Sequence, residues 1–175
     1  MSIRDEIASR CKEGRLHFLQ PVFPHSPLVR YMFVSPELYK LVETGPWGNA
    51  AEEKRFGQLR ANLDAFTENK LLTVAWDPFK AGNAYFGRLD PIDEEVWDIR
   101  SRDPDPAIRV LGSFADTNLF IGLVWGWRKE WGDRKSREWR DARLRTNTEW
   151  RALFPSYKPH KGGQIHDYLT NAIGA

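Results

Sequence analysis

Basic side chains are concentrated in one part of this chain. From Gly126 to Lys161 the sequence carries eleven basic residues against five acidic ones, whereas from Pro91 to Trp125 seven acidic residues stand against three basic ones. Clustered Lys and Arg side chains bind phosphate groups and stabilise negative charge that develops on them. The asymmetry predicts an anionic partner on the C-terminal side. The alternative is a solvated helix face on which these charges pair with one another.

Three arginines lie where consecutive strands would bring them together. Arg100 belongs to an alternating segment and points away from the apolar face of that strand. Arg109 lies on the next predicted strand, and Arg128 ends the third. Antiparallel neighbours place Arg100 and Arg109 on one surface if the register allows it. Otherwise Arg100 pairs with Asp98 or a neighbouring acid and only holds the sheet together.

Tryptophans accompany these arginines. Trp125 and Trp127 share one face of the third strand, and Trp131 follows closely. Beside Arg128, such rings would form a stacking platform for single-stranded RNA. The alternative, which tryptophans at this spacing favour, is that they pack in the core against the long helix that follows.

Other catalytic signatures are absent from the sequence. The four histidines, His17, His25, His160 and His166, lack the spacing of zinc ligands, so neither a metal nor another cofactor is expected. His160 lies in a basic loop and would suit acid–base chemistry near neutral pH, but a solvated loop histidine is the simpler interpretation. There is no Ser-His-Asp order with a nucleophile elbow and no signature of paired carboxylates.

The arginines depend on an antiparallel meander of three predicted strands, Val96–Ser101, Ile108–Ser113 and Leu119–Arg128. Period-two alternation bounded by Pro, Asp and Asn indicates these strands. Their connections are too short for a helical crossover, so neighbouring strands run antiparallel. The third strand is mostly apolar, which predicts a position inside the sheet with both faces covered.

Helices are predicted before and after this meander. In the segment Ala51–Lys70, apolar residues recur at helical spacing, at Phe56, Leu59, Leu63 and Phe66. A strand at Val29–Val34 precedes it, followed by a short helix that begins at Ser35-Pro36. A second long helix is predicted at Arg134–Phe154, anchored by Trp139, Ala142, Leu144 and Trp150.

The 175 residues suit one domain core with an added segment at each end. Residues 1–28 form a short helix, Ser2–Lys12, and a proline-rich arm, Leu16–Pro27. Residues 29–154 form the domain, and residues 155–175 form an extension that contains a terminal helix, Gln164–Ile173. The N-terminus is charged, no apolar run is long enough to span a bilayer, and the lone Cys11 fits a reducing compartment. A cytoplasmic protein without a membrane partner is expected.

Three segments resemble the RelE/ParE superfamily of bacterial toxins, especially its HigB-like, phage Gp49-like branch. YMFVSPELYKLVE, at Tyr31–Glu43, is similar to the family's first strand and helix start. RLDPIDEEVWDIRS, at Arg88–Ser101, resembles its tryptophan-glutamate-leucine-arginine strand, and Ile108–Trp131 resembles its last two strands. The helix around Ala142 and Arg143 is similar to the one that closes many members.

The resemblance implies an α+β fold in which an antiparallel sheet packs against helices, here with N- and C-terminal extensions. It implies a toxin that cleaves messenger RNA without a metal, in association with ribosomes, and that is held in check by a cognate antitoxin. The alternative is a catalytically silent protein- or nucleic-acid-binding module of this fold, phage-derived or a ParE-like inhibitor of DNA gyrase. The extensions and the long loop Trp76–Ala84 depart from the family pattern, and they could cover the basic face on which the family acts.

The resemblance also assigns residues. In this cleavage the 2′-hydroxyl attacks the adjacent phosphate, so the site must remove a proton, stabilise the phosphorane and protonate the leaving oxygen. The predicted catalytic residues, which match the family's basic positions, are Arg100, Arg109 and Arg128. The predicted RNA-binding residues are Lys80, Arg88, Trp127, Lys129, Trp131 and Arg134.

Overall fold

The central sheet of the computed structural model contains eight strands among the described residues, and helices pack on both of its faces. The structure describes residues 1–23, 27–78 and 80–175. The predicted α+β class is confirmed. His25 and part of the predicted arm, Leu16–Pro27, lie outside the described residues, as does one residue of the predicted loop Trp76–Ala84.

The strands and helices follow one another along the whole chain. The strands are β1 (His17–Phe18), β2 (Tyr31–Val34), β3 (Leu72–Ala75), β4 (Phe86–Arg88), β5 (Trp97–Ser101), β6 (Ile108–Asp116), β7 (Leu119–Trp127) and β8 (Ala172–Gly174). The α-helices are α1 (Ile3–Lys12), α2 (Pro36–Tyr39), α3 (Ala50–Thr67), α4 (Arg137–Leu153) and α5 (Ile165–Tyr168). A π-helical turn, Lys40–Thr44, extends α2, and a 3-10 turn, Ile92–Glu94, precedes β5.

The sheet is mixed rather than wholly antiparallel, which corrects the expectation from the sequence. Its strand order is β1-β2-β7-β6-β5-β4-β3-β8. The meander β5-β6-β7 is antiparallel as predicted, and β7 lies inside the sheet, between β2 and β6. However, β2 runs parallel to β7, and β3 runs parallel to both β4 and β8. Short connections fix the direction of consecutive strands only, whereas these pairs join segments distant in sequence or separated by a long loop.

Helix α3 covers one face of the sheet through the predicted apolar stripe. Phe56, Leu59, Leu63 and Phe66 are all buried, which confirms this helix and its buried face. The helix starts at Asn49, whose Oδ1 accepts hydrogen bonds from the backbone N–H groups of Ala51 and Glu52, both at 3.0 Å.

Helices α4 and α1 cover the opposite face. Trp139, Ala142 and Trp150 are buried as predicted, but Leu144 is 46% exposed and is not an anchor. The helical period places Thr146, four residues after Ala142, on the buried face instead, where its hydroxyl donates to the Ala142 carbonyl (2.9 Å). No helix among the described residues is long and apolar enough to cross a membrane.

The two terminal segments form the edges of the sheet, β1 at one side and β8 at the other. The predicted terminal helix, Gln164–Ile173, is wrong beyond Tyr168, because the chain turns at Asn171 (φ 52°) and continues as β8. Hydrogen bonds between Asn118 and Thr170 fix this turn on the loop between β6 and β7.

A fully buried arginine ties this last segment to α3. Arg30 is 0% exposed, and its guanidinium donates to the backbone carbonyls of Phe66 (3.4 Å), Lys70 (2.9 Å), Thr170 (2.6 Å) and Asn171 (2.9 Å). Phe66 lies in the last turn of α3, where the helix dipole favours a cation, and Lys70 follows the end of the helix. Burial lowers the pKa of Arg30 to about 10, so the side chain is still a cation at neutral pH.

Candidate functional site

The three predicted catalytic arginines line one cavity of about 690 Å³, referred to below as the arginine cavity. The register of β5 and β6 sets Arg100 directly opposite Arg109, so both side chains leave the sheet on the same face. Arg128 follows the end of β7, and its backbone N–H donates to the Ala107 carbonyl (2.8 Å), which extends the pairing with β6. Because α4 covers the same face, its N-terminal end forms one wall of the arginine cavity.

Two glycines leave room for large side chains to lie on the strands. A Cβ at Gly87 would collide with the guanidinium of Arg100 and the carboxylate of Asp98, so this pair can cross β4 only because residue 87 has no side chain. A Cβ at Gly126 would collide with the indole of Trp131 in the same way. The floor of the site is therefore specified by small residues as well as by charged ones.

Asp98 is the central carboxylate of the arginine cavity. Its side chain is 2% exposed, and its two oxygens accept hydrogen bonds from Arg100 Nε at 3.0 and 3.3 Å. Arg100 Nη1 also donates to the Ala81 carbonyl (2.9 Å), which fixes the loop before β4. The sequence left open whether Arg100 pairs with Asp98 or faces an anion site. In the structure it does pair with Asp98, and it lines the cavity as well.

Arg109 keeps hydrogen-bonding capacity that the described residues do not use. Its Nε lies 3.5 Å from Asp98 Oδ2, an ion pair without a hydrogen bond, and neither Nε nor Nη1 has a hydrogen-bond partner among the described residues. The side chain is only 13% exposed. Burial lowers the pKa of Arg109 to about 10, although Asp98 opposes this shift, so the guanidinium is charged at neutral pH. A buried cation with unmet donors is suited to an anion that can accept from it.

The wall opposite the sheet comes from the connection between β7 and α4. The Arg128 guanidinium lies over the Trp139 ring, 5.2 Å from its centroid, and donates to the Gly132 carbonyl. The Ser136 hydroxyl accepts from the Trp139 N–H (3.1 Å) and thereby starts α4 at the cavity. Trp139 in turn packs edge-on against Trp131, with 5.7 Å between ring centroids.

Positive charge dominates the lining of the arginine cavity. The cations among its described lining residues are Arg88, Arg100, Arg109, Arg128, Arg134 and Lys135. The carboxylates there are Asp90, Asp98 and Asp133. No histidine is among the described lining residues, and nowhere in the described chain do three or more His, Cys, Asp or Glu side chains cluster as a metal site would require. The arrangement can bind a phosphate group and stabilise charge on it.

Compared with models of protein families, with curated proteins and with solved structures, the chain matches none.

Two predicted RNA-binding residues serve other purposes. Arg88 touches the arginine cavity, but its guanidinium lies over Trp76, 4.4 Å from the ring centroid, and donates to Glu95 (3.1 Å). The reason is the register of β4, which pairs Arg88 with Trp97 and so directs its side chain to the α3 face. Lys80 is exposed, pairs with Asp77 at 3.1 Å and does not line the arginine cavity.

Two tryptophans of the predicted platform, Trp125 and Trp127, lie on the other face of the sheet from the arginines. Trp127 packs against Phe56 and Trp125, with ring centroids 5.7 and 5.8 Å apart, so the core alternative describes this pair better. Adjacent residues of a strand point to opposite faces, which separates Trp127 from Arg128. Lys129 accompanies Trp127 in a separate cavity, and Trp131 supports Trp139 from behind without lining the arginine cavity.

The basic residues from Arg128 to Arg145 divide between the two interpretations of the basic segment. Three arginines of α4 are ion-paired: Arg137 with Asp141 and Arg145 with Glu37 on the surface, and Arg143 with Glu94 in a partly buried position. Arg128, Arg134 and Lys135, which precede the helix, line the arginine cavity. The contribution of the basic segment to the arginine cavity therefore comes from the residues before α4 rather than from the helix itself.

Sequence reasoning missed two lining residues with clear roles. Asp98 was considered only as a partner of Arg100, although its position two residues earlier on the same strand puts it on the same face. Trp139 was assigned to the core alone. Its place in the first turn of α4, directly after the basic loop, was the available signal that it faces the same cavity.

Proposed function

We propose that this protein binds single-stranded RNA with a backbone phosphate in the arginine cavity and cleaves it without a metal ion, as the RelE/ParE toxins that it resembles do. The observation that carries the proposal is the convergence of Arg100, Arg109 and Arg128 on one open cavity. The order of elements gives further support, since β2, the helices α2 and α3, and the meander β5-β6-β7 follow one another as the resemblance implies, with β3 and β4 inserted.

Each arginine has a distinct part in this proposal. Arg109 offers Nε and Nη1, which have no other acceptor among the described residues, to the non-bridging oxygens of the phosphate. Arg100 is oriented by Asp98 and the Ala81 carbonyl, and Arg128 by Trp139. Guanidiniums held in place before the reaction stabilise the phosphorane without reorganisation, which is usually the largest catalytic contribution.

The decisive experiment measures cleavage separately from binding. Arg109→Met should lower the cleavage rate about a hundred- to a thousandfold, because one preorganised charge donor is lost in the transition state. It should lower the salt dependence of RNA affinity by only about 0.7 in slope, the effect of one phosphate contact. Arg109→Lys should not restore the rate, since lysine lacks the planar pair of donors. RNA ends are mapped with purified RNA and with translating ribosomes.

Arg137→Met is the matched control, because Arg137 is exposed and lies outside the arginine cavity. It should cleave at the parent rate. A folded Arg109→Met protein that also cleaves at the parent rate would remove Arg109 from the mechanism. For the toxin assignment, the readout is growth arrest on induced expression, relieved by co-expression of a neighbouring gene that encodes the antitoxin.

One observation favours the second candidate, a catalytically silent module that binds RNA or another phosphate-bearing partner. No histidine lines the described part of the arginine cavity, and Asp98 is already engaged by two arginines, so no free general acid or base is evident there. RNA binding that depends on Arg109, combined with intact RNA in both assays, would select this candidate.

A further inference from the structure

A second cavity, of about 440 Å³, lies between the N-terminus of α3 and the turn that joins β5 to β6. It shares no lining residue with the arginine cavity and lies on the other face of the sheet. Its volume falls within the range of about 300–1,000 Å³ that is typical of small-molecule sites. We call it the Trp127 cavity, after the aromatic residue that lines it.

Arg55 lines the Trp127 cavity and has one nitrogen without a hydrogen-bond partner among the described residues. The residue is 3% exposed, and its guanidinium is fixed by hydrogen bonds from Nε to the Pro106 carbonyl (2.8 Å) and from Nη2 to the carbonyl (2.7 Å) and hydroxyl (3.0 Å) of Ser101. The third nitrogen, Nη1, has no partner among the described residues. Holding the β5–β6 turn thus accounts for two of the three nitrogens. The remaining N–H groups of a rigid, buried guanidinium require an acceptor.

Trp127 supplies an aromatic surface in the same cavity. It is half-buried, and Phe56 and Trp125 hold its ring, at centroid distances of 5.7 and 5.8 Å. A ring held in this way can stack on a flat ligand with little loss of side-chain entropy. Trp127 therefore favours an aromatic ligand over a simple anion.

Carboxylates complete the lining of the Trp127 cavity. Glu52, Asp105 and Glu130 all contribute to it and balance the charges of Arg55, Lys54 and Lys129. With these charges balanced, the cavity offers a ligand consisting only of phosphate no net attraction, and the acids would have no donor to bind. A ligand that presents acceptors to Arg55 and donors to the carboxylates would satisfy both groups.

We propose that the Trp127 cavity binds an unpaired guanine base of RNA. Guanine combines a flat ring for Trp127, the acceptors O6 and N7 for Arg55, and the donors N1–H and N2–H for the carboxylates. Adenine carries an amino donor where guanine carries O6, and each pyrimidine offers a smaller ring. The inference rests on the proposed function only in taking RNA as the ligand. It adds a base preference, at a site remote from the phosphate-binding arginines.

Nucleosides test this proposal directly, because they carry no phosphate for the arginine cavity. Guanosine is titrated into the full chain while the indole N–H signal of Trp127 is followed by NMR, the signal being assigned by its loss in Trp127→Leu. Guanosine should shift it saturably and bind at least about fivefold more tightly than adenosine, cytidine or uridine, the lower end of what one specific pairing contributes. Equal affinities for the four nucleosides, or no saturable shift, overturn the proposal.

Variants separate the contacts and guard against misfolding. In Trp127→Leu, guanosine affinity measured by calorimetry should fall about five- to a hundredfold, the range expected for one stacking contact. Asp105→Asn alters an exposed side chain and should reduce the preference for guanosine over inosine, which lacks the N2 amine, while the fold is kept. Glu53→Gln, also exposed on α3 but outside the Trp127 cavity, is the control and should bind as the parent does. Unchanged binding in both Trp127→Leu and Asp105→Asn contradicts the assignment.

The result of the guanosine experiments is independent of the result of the RNA-cleavage experiments. If guanosine binds as expected and RNA is neither bound through Arg109 nor cleaved, the proposed function fails and the guanine site stands. If RNA cleavage depends on Arg109 while guanosine does not bind, the guanine site is overturned and the proposed function stands.

Discussion

At the scale of single residues, one carboxylate organises the arginine cavity. Asp98 is the buried counter-charge of both Arg100 and Arg109, and these two guanidiniums come from neighbouring strands. Without it, two cations would face each other at low dielectric and each would be driven away from the sheet. The role of Asp98 is therefore to hold the two arginines in position.

We expect Asp98→Asn to lower the free energy of unfolding by about 3 kcal/mol or more, since it removes one side of a buried charge pair and leaves the other. Phosphate in the buffer should return part of this loss, because an anion that binds only the folded state stabilises it. Urea titrations with and without phosphate measure both effects. Asp141→Asn, on the exposed face of α4, is the control. An Asp98→Asn protein as stable as the parent would show that the pair has no structural role.

The arginines of the site could be predicted from the sequence, but their partners could not. Period-two alternation and the family resemblance together identified Arg100, Arg109 and Arg128. The pairing of Arg109 with Asp98 depends on the register between β5 and β6, which the acidic, proline-rich turn between them does not reveal. Alternation along β7 alone would have predicted that Trp127 and Arg128 lie on opposite faces of the sheet.

At the scale of elements, α3 is the helix that the sequence specifies most strongly. Leu63, in the middle of α3, is fully buried and packs in the core between the helix and the sheet. Leu63→Ala should cost about 2–5 kcal/mol of unfolding free energy through lost burial and the cavity that remains. Leu144→Ala should change it by less than about 0.5 kcal/mol, because Leu144 is 46% exposed on α4. Denaturant titrations of both variants measure these changes in unfolding free energy. Similar changes in the two variants would mean that the buried faces of α3 and α4 are misassigned.

Helix α3 also carries a pH-sensitive carboxyl. Burial raises the pKa of Asp64 from its ordinary 3.8 to about 6, although Arg60, which pairs with it, opposes the shift; Glu68 and Glu43 add to it. The folded protein thus holds this proton more tightly than the unfolded chain does. The contribution of Asp64 to stability should therefore fall as the pH rises from about 4 to about 6, and stay low above that.

The comparison of interest is between the parent protein and Asp64→Asn, which cannot titrate at this position. The difference in their unfolding free energies should move in favour of the variant as the pH rises through this window. Urea titrations at several pH values measure it. A difference independent of pH would show that Asp64 titrates alike in the folded and unfolded states.

At the scale of the whole molecule, the terminal segments are parts of the sheet rather than additions to it. The sequence predicted the meander, the strand at β2 and the two long helices, since each has a local pattern. The parallel pairs of β3 with β4 and β8, and of β2 with β7, join distant segments or segments split by a long loop, and no local pattern encodes them. The three residues of β8 are too few to show any period.

Arg30 holds the C-terminal segment against the end of α3. Replacing it with Met should cost at least about 3 kcal/mol, because a fully buried guanidinium and its hydrogen bonds to four backbone carbonyls are lost. The C-terminal segment should then become sensitive to protease before the rest of the chain does. Limited proteolysis with mass spectrometry detects this, and Arg151→Met, an exposed change on α4, is the control. Cleavage that begins elsewhere would argue that Arg30 stabilises a different part of the fold.

The parallel pairing of β2 with β7 also limits the order in which the nascent chain can fold. Strand β2 is synthesised early but cannot pair with β7 until that strand has also been synthesised. The arginine cavity is likewise incomplete until Arg128 and Trp139 have been translated. A chain still attached to the ribosome thus has an arginine cavity that lacks one of its walls. If the protein cleaves RNA as proposed, a chain still being synthesised cannot cleave the message that encodes it until translation is nearly over.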